Sequence, residues 1–177
     1  MDSHDGANLN GTVEVHEAFI GGVKSGVRGR GALGKVKVFV AAESRGNAIG
    51  RIRLKVIPDT TSATLLKAVK ANIDLRSHIV TDGNSAYAPL EVSGYKHTVE
   101  GPALGKNRLL KAHRAISLLK RWLLGTHHGA VNEDRLQSYL DEFVFRFNRR
   151  TAKSRGLLFH RLMERAVTAG PIKGADL

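Results

Sequence analysis

Asp82 closes a short apolar run, His78-Ile-Val-Thr-Asp82, and Gly83 follows at once. A carboxylate at the end of a strand can hold a divalent cation, because hard ions such as Mg²⁺ prefer oxygen donors. An Asp before a Gly is also a common turn former. A second acid and an imidazole lie in residues 12–20, where Glu14 and His16 share one face of a strand and Glu17 takes the other. A neutral imidazole can bind a metal, but it holds Mg²⁺ poorly and brings no negative charge. A hydrogen-bonded strand histidine with no ligand is the plain alternative. His113 lies off the apolar seam of a helical stretch and shares a stripe with Lys106, Ser117 and Lys120. That stripe suits a helix face turned to a charged cleft, or one turned only to solvent.

Basic residues gather in three places. Lys24, Arg28 and Arg30 sit in a glycine-rich stretch able to follow a phosphate backbone. Lys106, Arg108, Lys111, Arg114, Lys120 and Arg121 decorate the helix of His113. Arg146, Arg149, Arg150, Lys153 and Arg155 form the third group. The net charge is +12 over 177 residues, an excess that points to a polyanionic partner, nucleic acid first. Contacts of this kind give affinity and register without sequence specificity. Aromatic residues make up only 6% of the chain, so stacking on unpaired bases is not expected to be the main mode. Trp122 reads as core rather than as a base platform.

The elements that must position these residues follow from periodicity. Residues 12–20 read as a strand, with Val13, Val15 and Phe19 opposite Glu14 and His16. A flexible basic loop is expected over 21–34. Strands follow over 35–43 and 51–57, joined by a turn at 44–50 that predicts an antiparallel hairpin. The outward set of the third strand is Arg51, Arg53 and Lys55. Pro58-Asp-Thr-Thr-Ser62 signals a helix start, and 63–73 has helical spacing. A strand over 78–82, a short helix through Tyr87 and Leu90, and a possible strand over 95–99 come next. Helices are expected over 107–124, 132–148 and 156–167, the first with a seam at Leu109, Ala112, Ile116, Leu119 and Leu123. Three antiparallel strands followed by parallel strands with crossover helices make a mixed-sheet α/β plan, one of whose forms is the ribonuclease H-like fold.

At this length one domain is expected: a disordered polar lead-in over 1–11, a globular body over 12–168 and a tail over 169–177. The lead-in is no signal peptide, and no apolar run approaches the roughly 20 residues of a membrane span. The chain has no cysteine, which excludes disulfides and cysteine-based zinc or iron–sulfur sites within it.

Several segments together resemble one family. Gly11-Thr-Val-Glu-Val-His-Glu-Ala-Phe-Ile-Gly-Gly22 is similar to the opening strand of the ISXO-two-like transposase domain of bacterial insertion sequences. Gly29-Arg-Gly-Arg-Gly leading to Gly34-Lys35, Ile57-Pro-Asp59, Val80-Thr-Asp-Gly83 with Tyr87, and Gly94-Tyr-Lys-His97 match in order. The longest match is Ser117-Leu-Leu-Lys-Arg-Trp-Leu-Leu-Gly-Thr-His127, continued by Tyr139-Leu-Asp-Glu-Phe143 and Phe145-Arg-Phe-Asn-Arg-Arg150.

The resemblance implies a ribonuclease H-like DDE transposase, which cuts and rejoins DNA with two divalent ions, Mg²⁺ or Mn²⁺, held by acids from the first strand, the fourth strand and a later helix. It makes Asp82 the fourth-strand ligand. His16 stands where the family usually has Asp, and His113 where many relatives have Glu, so metal binding is expected to be weakened. Glu14 is a nearby carboxylate that could reach the same region, and Glu17 ranks below it. The set His16, Asp82 and His113 would suit Mn²⁺, Fe²⁺ or Zn²⁺ better than Mg²⁺. Lys24, Arg28, Arg30, Lys106, Arg108, Lys120, Arg121, Arg149 and Arg150 become candidate DNA contacts. A homodimer acting on DNA at the nucleoid of a prokaryotic cytoplasm is implied, with transposon-end recognition supplied by another chain or a longer product. Metal-dependent strand transfer with an altered triad and a degenerate, DNA-binding remnant both remain open.

Overall fold

The computed structural model describes residues 7–21, 35–100, 109–127 and 133–154, and part of 156–167. Lys24, Arg28, Arg30, Lys106 and Arg108 lie outside the described residues, as does part of the helix expected over 156–167.

A five-stranded mixed sheet forms the centre, in the order β3-β2-β1-β4-β5. β1 (Thr12–Ile20), β2 (Val36–Arg45) and β3 (Ala48–Ile57) form an antiparallel meander. β4 (His78–Thr81) joins β1 in parallel, and β5 (Lys96–Val99) joins β4 in parallel. The hairpin between β2 and β3 turns at Gly46, whose φ of 57° is a conformation glycine adopts without strain. This is the ribonuclease H-like order of strands expected from the sequence.

Helices cover both faces. α1 (Ser62–Asn72) starts at Thr61, whose side chain accepts the Thr64 N–H, while Asp59 accepts from the Thr61 N–H and hydroxyl. Its Leu65 and Val69 pack with Val13, Val15, Phe39 and Ala41 on one face of the sheet. The short α2 (Pro89–Val92) adds Leu90 to the same layer. On the other face, α3 (Leu110–His127) and α4 (Leu136–Asn148) bury Ile116, Leu119, Leu140, Phe143 and Phe147 against Val38, Val40, Ile52 and Leu54. Burying a side chain of this size contributes roughly 1.5–3 kcal/mol. Trp122 packs partly against this core, 5.5 Å from the Phe143 ring.

α4 also closes the open edge of β3 with side-chain amides. Asn148 accepts the Ile52 N–H at 2.8 Å and donates to the Ile52 carbonyl at 3.1 Å. Gln137 accepts the Val56 N–H at 2.9 Å and donates to the Leu54 carbonyl at 3.5 Å. Arg150 donates to the carbonyls of Ile49 and Gly50. An edge occupied in this way cannot pair with another strand.

Two sequence readings change here. Arg53, expected on an outward face with Arg51 and Lys55, is only 2% exposed. Alternation does assign it a face, but that face is covered: Arg53 donates to the Ala7 carbonyl, and Arg51 donates to Ala7 and Asn8 while pairing with buried Glu43 at 2.6 Å. Order also begins before Thr12, since Leu9 is fully buried and bridges Ile73.

Candidate functional site

β1 outruns its parallel partner. Pairing between β1 and β4 stops at Glu14 opposite Val80, and β1 continues to Ile20 after β4 has ended at Thr81. The chain turns away through Gly83, whose φ of 84° and whose approach to Val99 leave no room for a side chain. A crevice of about 740 Å³ opens there, lined by His16, Glu17, Lys37, Asp82 and Asn84 among others. Ligands in open α/β sheets bind at this carboxyl end of the parallel strands.

Asp82 is the first residue past β4. Its Oδ1 accepts the Asn84 N–H at 3.2 Å, and its Oδ2 lies 3.3 Å from His16 Nδ1. Glu17 Oε2 stands 3.8 Å from the same nitrogen. The His16 ring also meets the His113 ring, with centroids 4.8 Å apart and planes tilted by 51°. Strand, strand end and helix thus bring together the three residues singled out from the sequence.

The charges at this point are coupled. Burial is the largest influence on His16 and opposes its protonation, yet Asp82 and Glu17 outweigh it and raise the histidine above its ordinary pKa. Asp82 is held below the ordinary carboxylate value, chiefly by His16. The contact thus favours the charged forms of both side chains, imidazolium and carboxylate. Nδ1 is buried, and its contact with Asp82 falls short of good hydrogen-bonding geometry.

Glu14 has a different position from the one expected of a site acid. Its Oε2 accepts the N–H groups of Lys111 and Ala112 at the start of α3, and Oε1 lies 3.4 Å from Lys111 Nζ. Glu17, ranked below it, lines the crevice instead. Its Oε1 accepts from Asn84 Nδ2 at 3.3 Å, and the buried Tyr87 hydroxyl lies beside it. That hydroxyl is pushed far above tyrosine's ordinary pKa, by burial first and then by the Glu17 charge, so it stays neutral. Alternation along β1 places Glu17 opposite His16, as expected. Beyond the end of β4, however, both faces of β1 border one opening, and an argument from alternation alone misses that. The signal that could have found Glu17 is the shortness of the apolar run ending at Asp82.

A two-metal centre needs several carboxylates converging on one place. Here Asp82 and Glu17 both approach His16 Nδ1, Glu14 faces a helix end, and the helix contributes His113. Among the described residues, no three His, Cys, Asp or Glu side chains are arranged to hold a metal ion. The imidazole of His16, whose protonated form the neighbouring carboxylates favour, stands beside Asp82.

The candidate DNA contacts divide. Lys120 and Arg121 are exposed on α3, as is Arg114, on the side that carries the exposed His113. Arg149 lies 3.8 Å over the Phe145 ring, and Arg150 turns its donors inward to β3 and to the Phe147 carbonyl. No helix of the described residues is long and apolar enough to cross a membrane. Compared with known families, residues 8–148 match the ISXO2-like transposase domain. No curated protein matches the sequence.

Proposed function

We propose, from the premise that this chain belongs to the ISXO2-like transposase domain family, that it is a DNA-binding domain whose metal-dependent cutting is suppressed by His16. The family ties the chain to DNA transposition and makes DNA its partner. The observation that carries the finer reading is the 3.3 Å contact between His16 Nδ1 and Asp82 Oδ2. A divalent ion and His16 would compete for the same carboxylate. Asp82 would hold Mg²⁺ or Mn²⁺ against competition from His16 for Oδ2, and the His16 nitrogen would be a poor ligand for Mg²⁺. Metal binding is thus weakened rather than impossible by type of residue, with Mn²⁺ favoured over Mg²⁺.

DNA binding needs no such ion. The exposed Arg114, Lys120 and Arg121 of α3 lie on a helix that passes beside the crevice, and they suit phosphate contacts. A homodimer working at the prokaryotic nucleoid would present two such faces to one duplex.

Nicking of supercoiled plasmid tests the reading. In Mg²⁺ the wild type is expected to nick no faster than Asp82→Ala, and His16→Asp is expected to nick faster than both. Wild-type nicking in Mg²⁺ that Asp82→Ala abolishes would overturn the proposal, and so would an inert His16→Asp variant that still folds and binds DNA.

A further inference from the structure

Glu14 is a buried carboxylate, 7% exposed, in the middle of a strand. Such a group is costly to bury unless it is paired and hydrogen-bonded. Its partners are on an element nearly a hundred residues away. Oε2 accepts the Lys111 N–H at 2.7 Å and the Ala112 N–H at 2.9 Å, and Oε1 lies 3.4 Å from Lys111 Nζ. Both N–H groups belong to the first turn of α3, where the helix has no internal acceptors and its dipole is positive. That turn has no acidic residue of its own. The strand supplies the carboxylate instead.

The same contact fixes where α3 sits. Ala112 is fully buried in a small cluster with Val80 and Leu109, which ties this turn to β4 as well as to β1. His113 is the next residue, and its ring lies against His16, two residues beyond Glu14 on the same face of β1. Each residue along a helix advances about 1.5 Å and turns about 100°. A slip of one residue at the Glu14 contact would carry the His113 ring off His16 altogether.

We propose that Glu14 is a positioning residue: it anchors the first turn of α3 to β1 and thereby sets His113 beside His16. It acts through the backbone of α3 and is not itself a ligand or a catalytic acid. The inference holds whether or not the site cuts DNA.

Amide hydrogen exchange and ring–ring nuclear Overhauser effects test it on the full chain. In the wild type the Lys111 and Ala112 amides are expected to be protected, although first-turn amides ordinarily exchange freely, and the His16 and His113 rings are expected to show a cross-peak. Glu14→Gln keeps an acceptor oxygen and is expected to retain the cross-peak. Glu14→Ala is expected to lose it, with exchange at those two amides faster by about ten- to a hundredfold. Unprotected Lys111 and Ala112 amides in the wild type would overturn the proposal without any variant. A folded Glu14→Ala that keeps the cross-peak, or a folded Glu14→Gln that loses it, would overturn it too. Neither result depends on nicking, so failure here is distinct from failure of the functional reading.

Discussion

The pair formed by His16 and Asp82 makes stability depend on pH in a defined direction. His16 is raised in the folded protein, so its contribution is full below the unfolded value of 6.5 and is lost as pH rises through the folded value. Asp82 is lowered, so its contribution is full above the unfolded value of 3.8 and is lost as pH falls through the folded value. Both contribute between those two unfolded values. Asp82→Asn is therefore expected to lower stability most near pH 5–6, by about 1 kcal/mol once solvent screening of a side chain 34% exposed is allowed for. Thermal melts across pH should show the wild type and variant converging in alkaline solution; a difference that grows there would contradict the assigned pair. At this scale the identities of His16, Asp82 and His113 were legible beforehand, but not their relations. Two residues apart on one face, Glu14 and His16 look interchangeable as site groups. Only the packing of α3 shows that Glu14 faces a helix end while the adjacent Glu17 reaches the crevice.

Among the elements, α4 has a role that no periodicity announces. Its apolar seam predicts a packed face, and the packing is as expected. Gln137 and Asn148 look like ordinary polar positions in that pattern, yet they satisfy the backbone of β3. Replacing either by Leu leaves N–H and carbonyl groups at a covered edge without partners. Each substitution is expected to cost about 1–3 kcal/mol in denaturant unfolding, and the double variant should associate with rising concentration as the edge is uncovered. Unchanged stability and a concentration-independent elution volume would contradict the edge-closing role. The strands themselves were more legible, because β1, β2 and β3 carry alternating patterns of nine or ten residues. Arg53 was the exception. Alternation distinguishes two faces but does not say that both are covered, and the coverage comes from a layer that includes residues before β1.

For the whole molecule, the net charge of +12 is a statement about partners, and its distribution decides which residues act on it. Arg150 is tied into the β3 edge, whereas Lys120 and Arg121 stand on the exposed side of α3. Lys120→Ala and Arg121→Ala are each expected to weaken DNA binding uniformly across sequences and to reduce the slope of log affinity against log salt by about 1. Gel shifts over a salt series would measure this, and slopes equal to the wild type's would remove α3 from the DNA face. The layered fold and the strand order set this geometry; the order of elements made the ribonuclease H-like arrangement one candidate, and the family resemblance singled it out. What that order did not contain was the charge standing next to Asp82. The most direct measurement is Mn²⁺ binding followed by electron paramagnetic resonance, on the wild type, Asp82→Ala and His16→Asp at neutral pH. The expected result is weak wild-type binding at most, and a distinctly tighter site in His16→Asp. A tight wild-type site that disappears in Asp82→Ala would show that His16 does not keep the ion away.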